Sequence, residues 1–282
     1  MVSPRFDLHV HSTASDGLFT PEAVAARAKA RGLDGLALTD HDSVAGLAAA
    51  RRQAAAEDLV FINGVEISVE WQDTPIHIVG LGFDAAHPGL LAGLKTTQDG
   101  RLERARRMDA ALAAAGIAGT LAGALRHTAH PAQISRAHFA RHLVEIGLFA
   151  DTGKVFEQYL TPGKPGYVPH RWATLAEAVG WIRAAGGVAV VAHPGRYEIS
   201  SGQMRVFLGE FRDLGGEAIE VSSGSHVPAH MRRFARLARS FGFHASQGSD
   251  FHGGAGADLG GFAPLPEDLP PVWRLLNGDV KK

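Results

Sequence analysis

Phe6-Asp7-Leu8-His9-Val10-His11 is the stretch on which the reading of this chain turns. It has the look of a short apolar strand, and side chains two apart on a strand point the same way. His9 and His11 therefore project together as a two-pronged ligand. Buried imidazoles need partners. Candidates lie outward along the chain: Asp16 in a Gly-containing loop, His41 in Thr39-Asp40-His41, Glu66, His77, His193, and Asp250 with His252 in Ser249-Asp250-Phe251-His252. Asp250 and His252 repeat the spacing of His9 and His11. Any one of these histidines alone would read as an ordinary packed or surface residue. Taken together, imidazoles and carboxylates with no thiolate suit hard and borderline divalent cations, and that pattern predicts metal-assisted hydrolysis.

The composition sets the bounds. With 282 residues, 45% hydrophobic and 20% charged, the chain can bury a large core as one barrel-sized domain with room for a small insert. No apolar stretch approaches the roughly 20 residues of a membrane span. The start, Met1-Val-Ser-Pro-Arg-Phe-Asp7, runs into a strand rather than a signal-peptide core, so cytoplasmic residence is the default expectation. The absence of cysteine excludes disulfides and thiolate zinc sites. A formal net charge of −1 argues against a protein that coats long nucleic acid and leaves a small or short anionic substrate open.

Strand and helix signals alternate on either side of the middle of the chain. Strands are expected at Phe6 to Val10, Gly35 to Thr39, Leu59 to Ile67, Ile76 to Leu81, Val188 to Ala192, Ala218 to Val221 and His244 to Gly248. Helices are expected from Thr20-Pro21 to Arg31, from Val44 to Glu57, and after the capping box Thr174-Leu-Ala-Glu177. This is a βα repeat with parallel strands, an α/β fold, and the ligands fall at or just after strand C-termini, where barrel enzymes assemble their sites. Only a closed or nearly closed ring brings residues so far apart in sequence together. The expected division is a barrel from residues 1–98 and 171–282, with a helical insert at 99–170 covering its mouth. The insert's helices are expected at Arg101 to Ala115 and Ser135 to Ile146. Arg101, Arg104, Arg106 and Arg107 read as a solvated face, as do Arg232, Arg233, Arg236 and Arg239.

At this point the motifs resemble a known family, the PHP (polymerase and histidinol phosphatase) domain. Asp7-Leu-His-Val-His-Ser12, Leu38-Thr-Asp-His-Asp42, Gly64-Val-Glu-Ile-Ser68, Ile76-His-Ile-Val-Gly80, Val191-Ala-His-Pro-Gly-Arg-Tyr197 and Gly248-Ser-Asp-Phe-His252 occur in that family's order. Ile134-Ser-Arg-Ala-His-Phe-Ala-Arg141 and Gly163-Lys-Pro-Gly-Tyr-Val-Pro169 look like one branch, the nucleoside 3′,5′-bisphosphate phosphatases and RNase AM. The resemblance implies a distorted (βα)7 TIM-like barrel holding two or three divalent metals, most often Mn2+, with Fe2+ or Zn2+ possible. It implies that His9, His11, Glu66 and Asp250 hold one metal. Glu66 would bridge to a second with His77 and His193, and Asp16, His41 and His252 would hold a third.

The expected activity is removal of the 3′-phosphate from a small nucleoside 3′,5′-bisphosphate such as pAp, by attack of a metal-bridging hydroxide. His193 and Asp250 are the candidate catalytic side chains; either His193 or a metal-bound water could be the general acid. Ser135, Arg136 and His138, near a helix N-terminus, and Arg196, beside His193, are candidates for binding phosphate. Lys164, Tyr167, Arg171 and Trp172 are vaguer candidates. His87, His127, His130, His142, His226, His230 and His244 read as ordinary. Alternatives are 5′-to-3′ exoribonuclease action on short RNA, an amidohydrolase, and a non-catalytic PHP interaction module. The partners expected are a small nucleotide or short RNA, with no long nucleic acid, membrane or obligate protein partner.

Overall fold

In the computed structural model, which describes residues 4–170, 172–254 and 256–276, strands and helices alternate through the first and last thirds of the chain. Arg171 lies outside the described residues. The strands are β1 (Phe6–Val10), β2 (Gly35–Leu38), β3 (Val60–Trp71), β4 (Thr74–Leu81), β5 (Ala173–Thr174), β6 (Val188–Val191), β7 (Ala218–Ser223) and β8 (His244–Gly248). The helices around them are α1 (Pro21–Ala30), α2 (Leu47–Ala56) and α3 (Pro88–Asp99). Then come α4 (Arg101–Ala114), α5 (Thr120–Leu125), α6 (Arg136–Glu145), α7 (Thr152–Val155), α8 (Leu175–Ala184), α9 (Ser201–Asp213) and α10 (Pro228–Phe241). Local chemistry fixes the helix starts. Thr20 accepts from Ala23 N ahead of Pro21, and Thr174 with Glu177 forms the expected capping box.

The sheet runs β1-β2-β3-β4-β6-β7-β8, with β5 appended to β3. Its two ends meet: His11 N donates to Phe251 O (2.9 Å) and Asp250 N to His9 O (2.8 Å), so the sheet forms a nearly closed barrel. One strand departs from the expected parallel order, because β4 runs antiparallel to both β3 and β6. The cause is the two-residue turn Gln72-Asp73, both with positive φ (46° and 61°), a turn that joins only antiparallel neighbours. The strand expected to end at Ile67 continues to Trp71 to reach it.

Apolar side chains on one face of the strands, among them Leu36, Leu38, Ile76, Ile78, Ala189 and Val191, pack against the surrounding helices. Those of the other alternation, including Phe6, Leu8, Val79, Leu81, Val188 and Val190, form a second cluster closed by Val272, Trp273 and Leu276. Between α4 and Val168 a third cluster, built on Met108, Leu112, Phe139, Leu143 and Leu160, gives the helical segment a small core of its own. Two of the four arginines read as a solvated face on α4 are buried instead: Arg101 is 4% exposed and Arg104 5%. They lie on the side of the helix that faces the barrel, whereas Arg106 and Arg107 are exposed. A charged run at helical spacing does not reveal which of its members face inward.

Among the described residues, no helix is long and apolar enough to cross a membrane. Gly248 marks the closest approach at the seam of the barrel, since a Cβ there would fall 2.3 Å from His9 Cβ. Gly248→Ala should therefore destabilise the protein by about 1–3 kcal/mol. Gly180→Ala, on the open face of α8 with nothing within 4 Å, should be neutral or stabilising. Equal denaturant midpoints for the two variants would show that the seam is not tightly packed.

Candidate metal centre

His9 enters the centre from β1 and His11 from the residue just past its end, both fully buried, and Glu66 enters from the middle of β3. His77 sits early in β4. Because β4 is reversed, that position lies opposite Ser68 and reaches the barrel end that the other strands reach late. Asp16, His41, His193, Asp250 and His252 come from the loops after β1, β2, β6 and β8. His193 (φ 23°) and Asp250 (φ 55°) hold left-handed backbones, which in a non-glycine residue cost roughly 1–3 kcal/mol each. Hydrogen bonds stabilise both: His193 N donates to Glu220 Oε2 at 2.5 Å, and Asp250 N to His9 O at 2.8 Å.

Glu66 is the hub. Its Oε1 lies 2.8 Å from His77 Nδ1, 2.9 Å from His193 Nε2 and 3.3 Å from His9 Nε2. Its Oε2 lies 2.9 Å from His41 Nδ1 and 3.2 Å from His11 Nε2. Asp250 Oδ1 is 3.2 Å from His11 Nε2, and Asp16 Oδ1 is 3.3 Å from His252 Nε2. All nine residues singled out from the sequence thus meet at one end of the barrel. Their donor atoms form overlapping groups, each within 4.8 Å: His9, His11, Glu66 and Asp250; His11, Asp16, His41 and His252; and His41, Glu66 and His77. The first matches a grouping implied by the resemblance, the second adds His11 to another, and the third puts His41 beside Glu66 and His77.

The donor set fits divalent cations on its own chemistry. His9 Nε2, both ring nitrogens of His11, Asp16 Oδ1, His41 Nδ1, Glu66 Oε2 and His193 Nδ1 are buried without a well-formed hydrogen bond and meet at most one another's charge. Orphaned polar atoms at such density are costly unless something else satisfies them. Burial alone would raise the pKa of Glu66, but His77, His9 and His41 hold it well below the carboxylate range. Burial opposes ionisation of Asp16 and Asp250 as well; His41 and His252 hold down the first, Arg196 and His9 the second. In turn, His11 is driven down by burial yet lifted to about 10 by Asp250 and Glu66, and His9 is raised by Glu66 and Glu220. Burial pulls His193 down to about 4. Three buried carboxylates thus draw protons onto neighbouring imidazoles, the positive charge that cations would replace.

Glu220 is a functional residue that the sequence reading missed. Its Oε1 lies 2.6 Å from His9 Nδ1, fixing the ring so that Nε2 faces the centre. The available signal was an acid in the middle of an apolar strand, Ala218-Ile-Glu-Val221. Asp40 and Asp42 were likewise passed over. Asp40 accepts from Ser12 N and Ser12 Oγ (2.7 Å each) and from Ser15 Oγ (2.6 Å), shaping the loop that carries Asp16. Asp42 accepts from Ser68 N at 2.8 Å and pairs with Arg101.

The helical segment contributes the far wall of a cleft of about 150 Å³. Asp16, His41 and His77 line one side, and Arg101, Arg104, Ser135, Arg136, Phe156 and Trp172 the other. Ser135 is the N-cap of α6, as expected, and its Oγ lies 3.5 Å from Asp16 Oδ2. His138 accepts from Ser135 N through Nδ1 (2.9 Å), and burial pulls its pKa to about 4; it is a neutral helix cap. Arg136 donates to Leu160 O (3.1 Å) and lies over Phe156 and Tyr167. Arg196 Nη2 sits 2.6 Å from Asp250 Oδ2, and Lys164 is exposed. His127, His142 and Glu145 also cluster, but Arg126 Nη2, 3.3 Å from the same Glu145 oxygen, already supplies a cation there.

The rim of this β/α barrel thus carries clusters of His, Asp and Glu that could hold metal ions. The family model described as the PHP domain matches residues 7–157. The 3′,5′-nucleoside bisphosphate phosphatase of Chromobacterium violaceum is 53% identical over 278 residues, 98% of each chain. The 5′-3′ exoribonuclease Rnm of Escherichia coli is 42% identical over 273 residues, 96% of this chain and 93% of that one. A solved structure described as an amidohydrolase from Chromobacterium violaceum, with bound sulfate and no metal, superposes with a TM-score of 0.93 at 53% identity, covering 96% of this chain and 95% of that one. A Bifidobacterium adolescentis protein at 24% identity shares the fold, with a TM-score of 0.83 over 98% of each chain. The chain belongs to the PHP domain family.

Two outcomes follow from the geometry. Glu220→Gln should weaken metal retention about 10- to 100-fold with the fold intact, read by metal content after dialysis against a chelator and by circular dichroism. Unchanged retention would remove the orienting role. Metal uptake should also release protons, so apparent affinity should rise with pH, because His9 and His11 must lose protons to ligate. In the metal-free protein, stability from the raised His11 should be present below pH 6.5 and lost as pH climbs toward about 10. Calorimetry in buffers of different ionisation heat checks the proton release; none detected would contradict it.

Proposed function

We propose that the chain is a cytoplasmic, metal-dependent phosphoric monoester hydrolase that removes the 3′-phosphate from nucleoside 3′,5′-bisphosphates such as pAp. The products are a nucleoside 5′-monophosphate and phosphate. The observation that carries this reading is a cleft with Asp16, His41 and His77 of the donor set on one wall and guanidinium groups on the other. An anionic ester suits both walls. The likeness to a bisphosphate phosphatase over nearly the whole chain supports it.

In this reading His9, His11, Asp16, His41, Glu66, His77, His193, Asp250 and His252 hold two or three divalent ions, Mn2+ first, with Fe2+ or Zn2+ as alternatives. Such ions supply Lewis acidity and lower the pKa of water, giving a nucleophile at neutral pH. The chain's own groups do the rest. Glu220 orients His9, and Asp40 holds the loop of Asp16. Residues 99–170 act as a cover that limits water, anchored where Ser135 meets Asp16 and Arg141 donates to Asp16 O. Ser135 and Arg136 bind phosphoryl oxygens at the start of α6, and Arg196 does so from the Asp250 side. His138 supports them as the helix cap. His193, neutral at physiological pH because of its burial, suits ligation better than proton donation, which leaves water as the proton source.

A second reading has specific support: relatives at 42% identity over 95–96% of this chain are named 5′-3′ exoribonucleases. The same centre would then cut the ester joining the first two nucleotides of a short RNA. Amide hydrolysis gives the arginines of the cleft no task. No long nucleic acid, membrane or obligate protein partner enters either reading.

Phosphate or nucleotide release is to be measured with the Mn2+-loaded protein on pAp, 3′-AMP, 5′-AMP and a short 5′-phosphorylated RNA. Turnover of pAp should exceed that of 5′-AMP by about 100-fold or more in kcat/KM. His11→Ala and Asp250→Ala should lose bound metal and at least about 1000-fold in activity together. A variant with empty sites and full turnover would refute the metal mechanism, and a preference for the RNA would select the second reading.

A further inference from the structure

His226 reads as ordinary in the sequence, yet its ring braces the short turn Pro194–Arg196, which follows the donor His193 and carries Arg196. The backbone amides of this turn can be accounted for one by one. His193 N donates to Glu220 Oε2 (2.5 Å), Pro194 has no N–H, and Arg196 N and Tyr197 N turn back onto His193 O and Pro194 O (3.0 and 3.5 Å). Gly195 N donates instead to His226 Nε2 at 3.2 Å. The other ring nitrogen, Nδ1, lies 3.1 Å from the carbonyl oxygen of Val221, the residue after Glu220 on β7. One acceptor and one donor on the same ring require the neutral Nδ1–H tautomer, and burial holds the His226 pKa below the ordinary imidazole value. The ring is also stacked on Phe234 of α10 (5.2 Å, 23°), with His230 edge-on to it (5.6 Å, 79°). The turn rests directly on these two imidazoles: a Cβ on Gly195 would fall 2.7 Å from His230 Nδ1 and 2.9 Å from His226 Cδ2.

Arg196 is half-exposed, and its Nη2 stands 2.6 Å from Asp250 Oδ2. Where so long a side chain reaches is set by the backbone that carries it. On the basis of the reading that Arg196 binds phosphoryl oxygens, we infer that His226 is a positioning residue: by accepting from Gly195 N it fixes the Pro194–Arg196 turn to the end of β7 and so holds the Arg196 guanidinium beside Asp250, where it meets the reacting phosphate. Glu220 and His226 divide the task. The first pins the His193 end of the turn and the second the Arg196 end. Losing His226 therefore loosens Arg196 and leaves His193 held, so phosphate binding suffers while metal is retained.

The test measures the Kd of inorganic phosphate by calorimetry, with metal content alongside, for the Mn2+-loaded parent, His226→Phe, His226→Gln, Arg196→Ala, and His226→Phe combined with Arg196→Ala. Phe keeps a ring on Phe234 and removes the acceptor; Gln gives up the ring and keeps an acceptor oxygen. His226→Phe should raise the Kd about 10-fold with metal content unchanged. Arg196→Ala should raise it about 50-fold, and the double variant no further, because one residue acts through the other. His226→Gln should stay within about 3-fold of the parent, and it decides the matter if the Phe variant fails to fold. Losses that multiply in the double variant, or a Phe variant equal to the parent beside an impaired Gln variant, make His226 a packing residue and overturn the inference. An unchanged Kd in Arg196→Ala removes the phosphate role of Arg196 and the inference with it. Should the parent bind phosphate but leave pAp intact, the proposed reaction fails, while phosphate affinity still reports on His226.

Discussion

A fully buried carboxylate, Glu66, ringed by His9, His11, His41, His77 and His193, is the constraint on which the rest of the structure depends. An anion without solvent demands compensation, and here the compensation comes from side chains on strands and loops scattered through the sequence. Only a sheet rolled into a ring can deliver them. The reversed strand, the two left-handed ligand residues and the tight approach of Gly248 to His9 all follow from that delivery. Each is locally unfavourable or unusual, and each sets a donor at the centre.

Around this hub a second layer of carboxylates does quieter work. Glu220 holds both the His9 ring and the His193 backbone, so one side chain on β7 bears on two donors, one on β1 and one in the loop after β6. Asp40 holds the turn after β1 through two serines, and Asp42 ties β3 to α4 through Ser68 and Arg101. That last link joins the donor-bearing rim to the wall of the cleft. A shift of α4 would pull on the loop that carries His41.

Much of this was legible beforehand, and the limits have physical causes. The i, i+2 pairs His9 with His11 and Asp250 with His252, and the Thr-Asp-His run, declare themselves because titratable groups spaced along apolar strands are costly to bury unless they share a partner. The strands themselves follow from short apolar runs bounded by caps. The direction of β4 was not legible: Gln72-Asp73 is not among the usual signals of a two-residue hairpin, and a long β3 looked like a shorter one. Glu220 escaped because a single acid in an apolar strand carries no spacing pattern. Arg101 and Arg104 escaped because helical periodicity gives the angle between residues but not which face meets the barrel.

The reversal of β4 also governs where the chain leaves the barrel. After β4, α3 climbs back to the end of the barrel where the donors gather, so the helical segment departs there, and it returns there as well: His170 Nε2 lies 3.4 Å from Thr97 O, and a Cβ on Gly100 would touch the His170 ring. A segment whose two ends touch behaves like a removable cap on a fixed vessel. Exchanging it for one of another length would leave the strands and their donors in register, so evolution or design could retarget the cleft at a single junction.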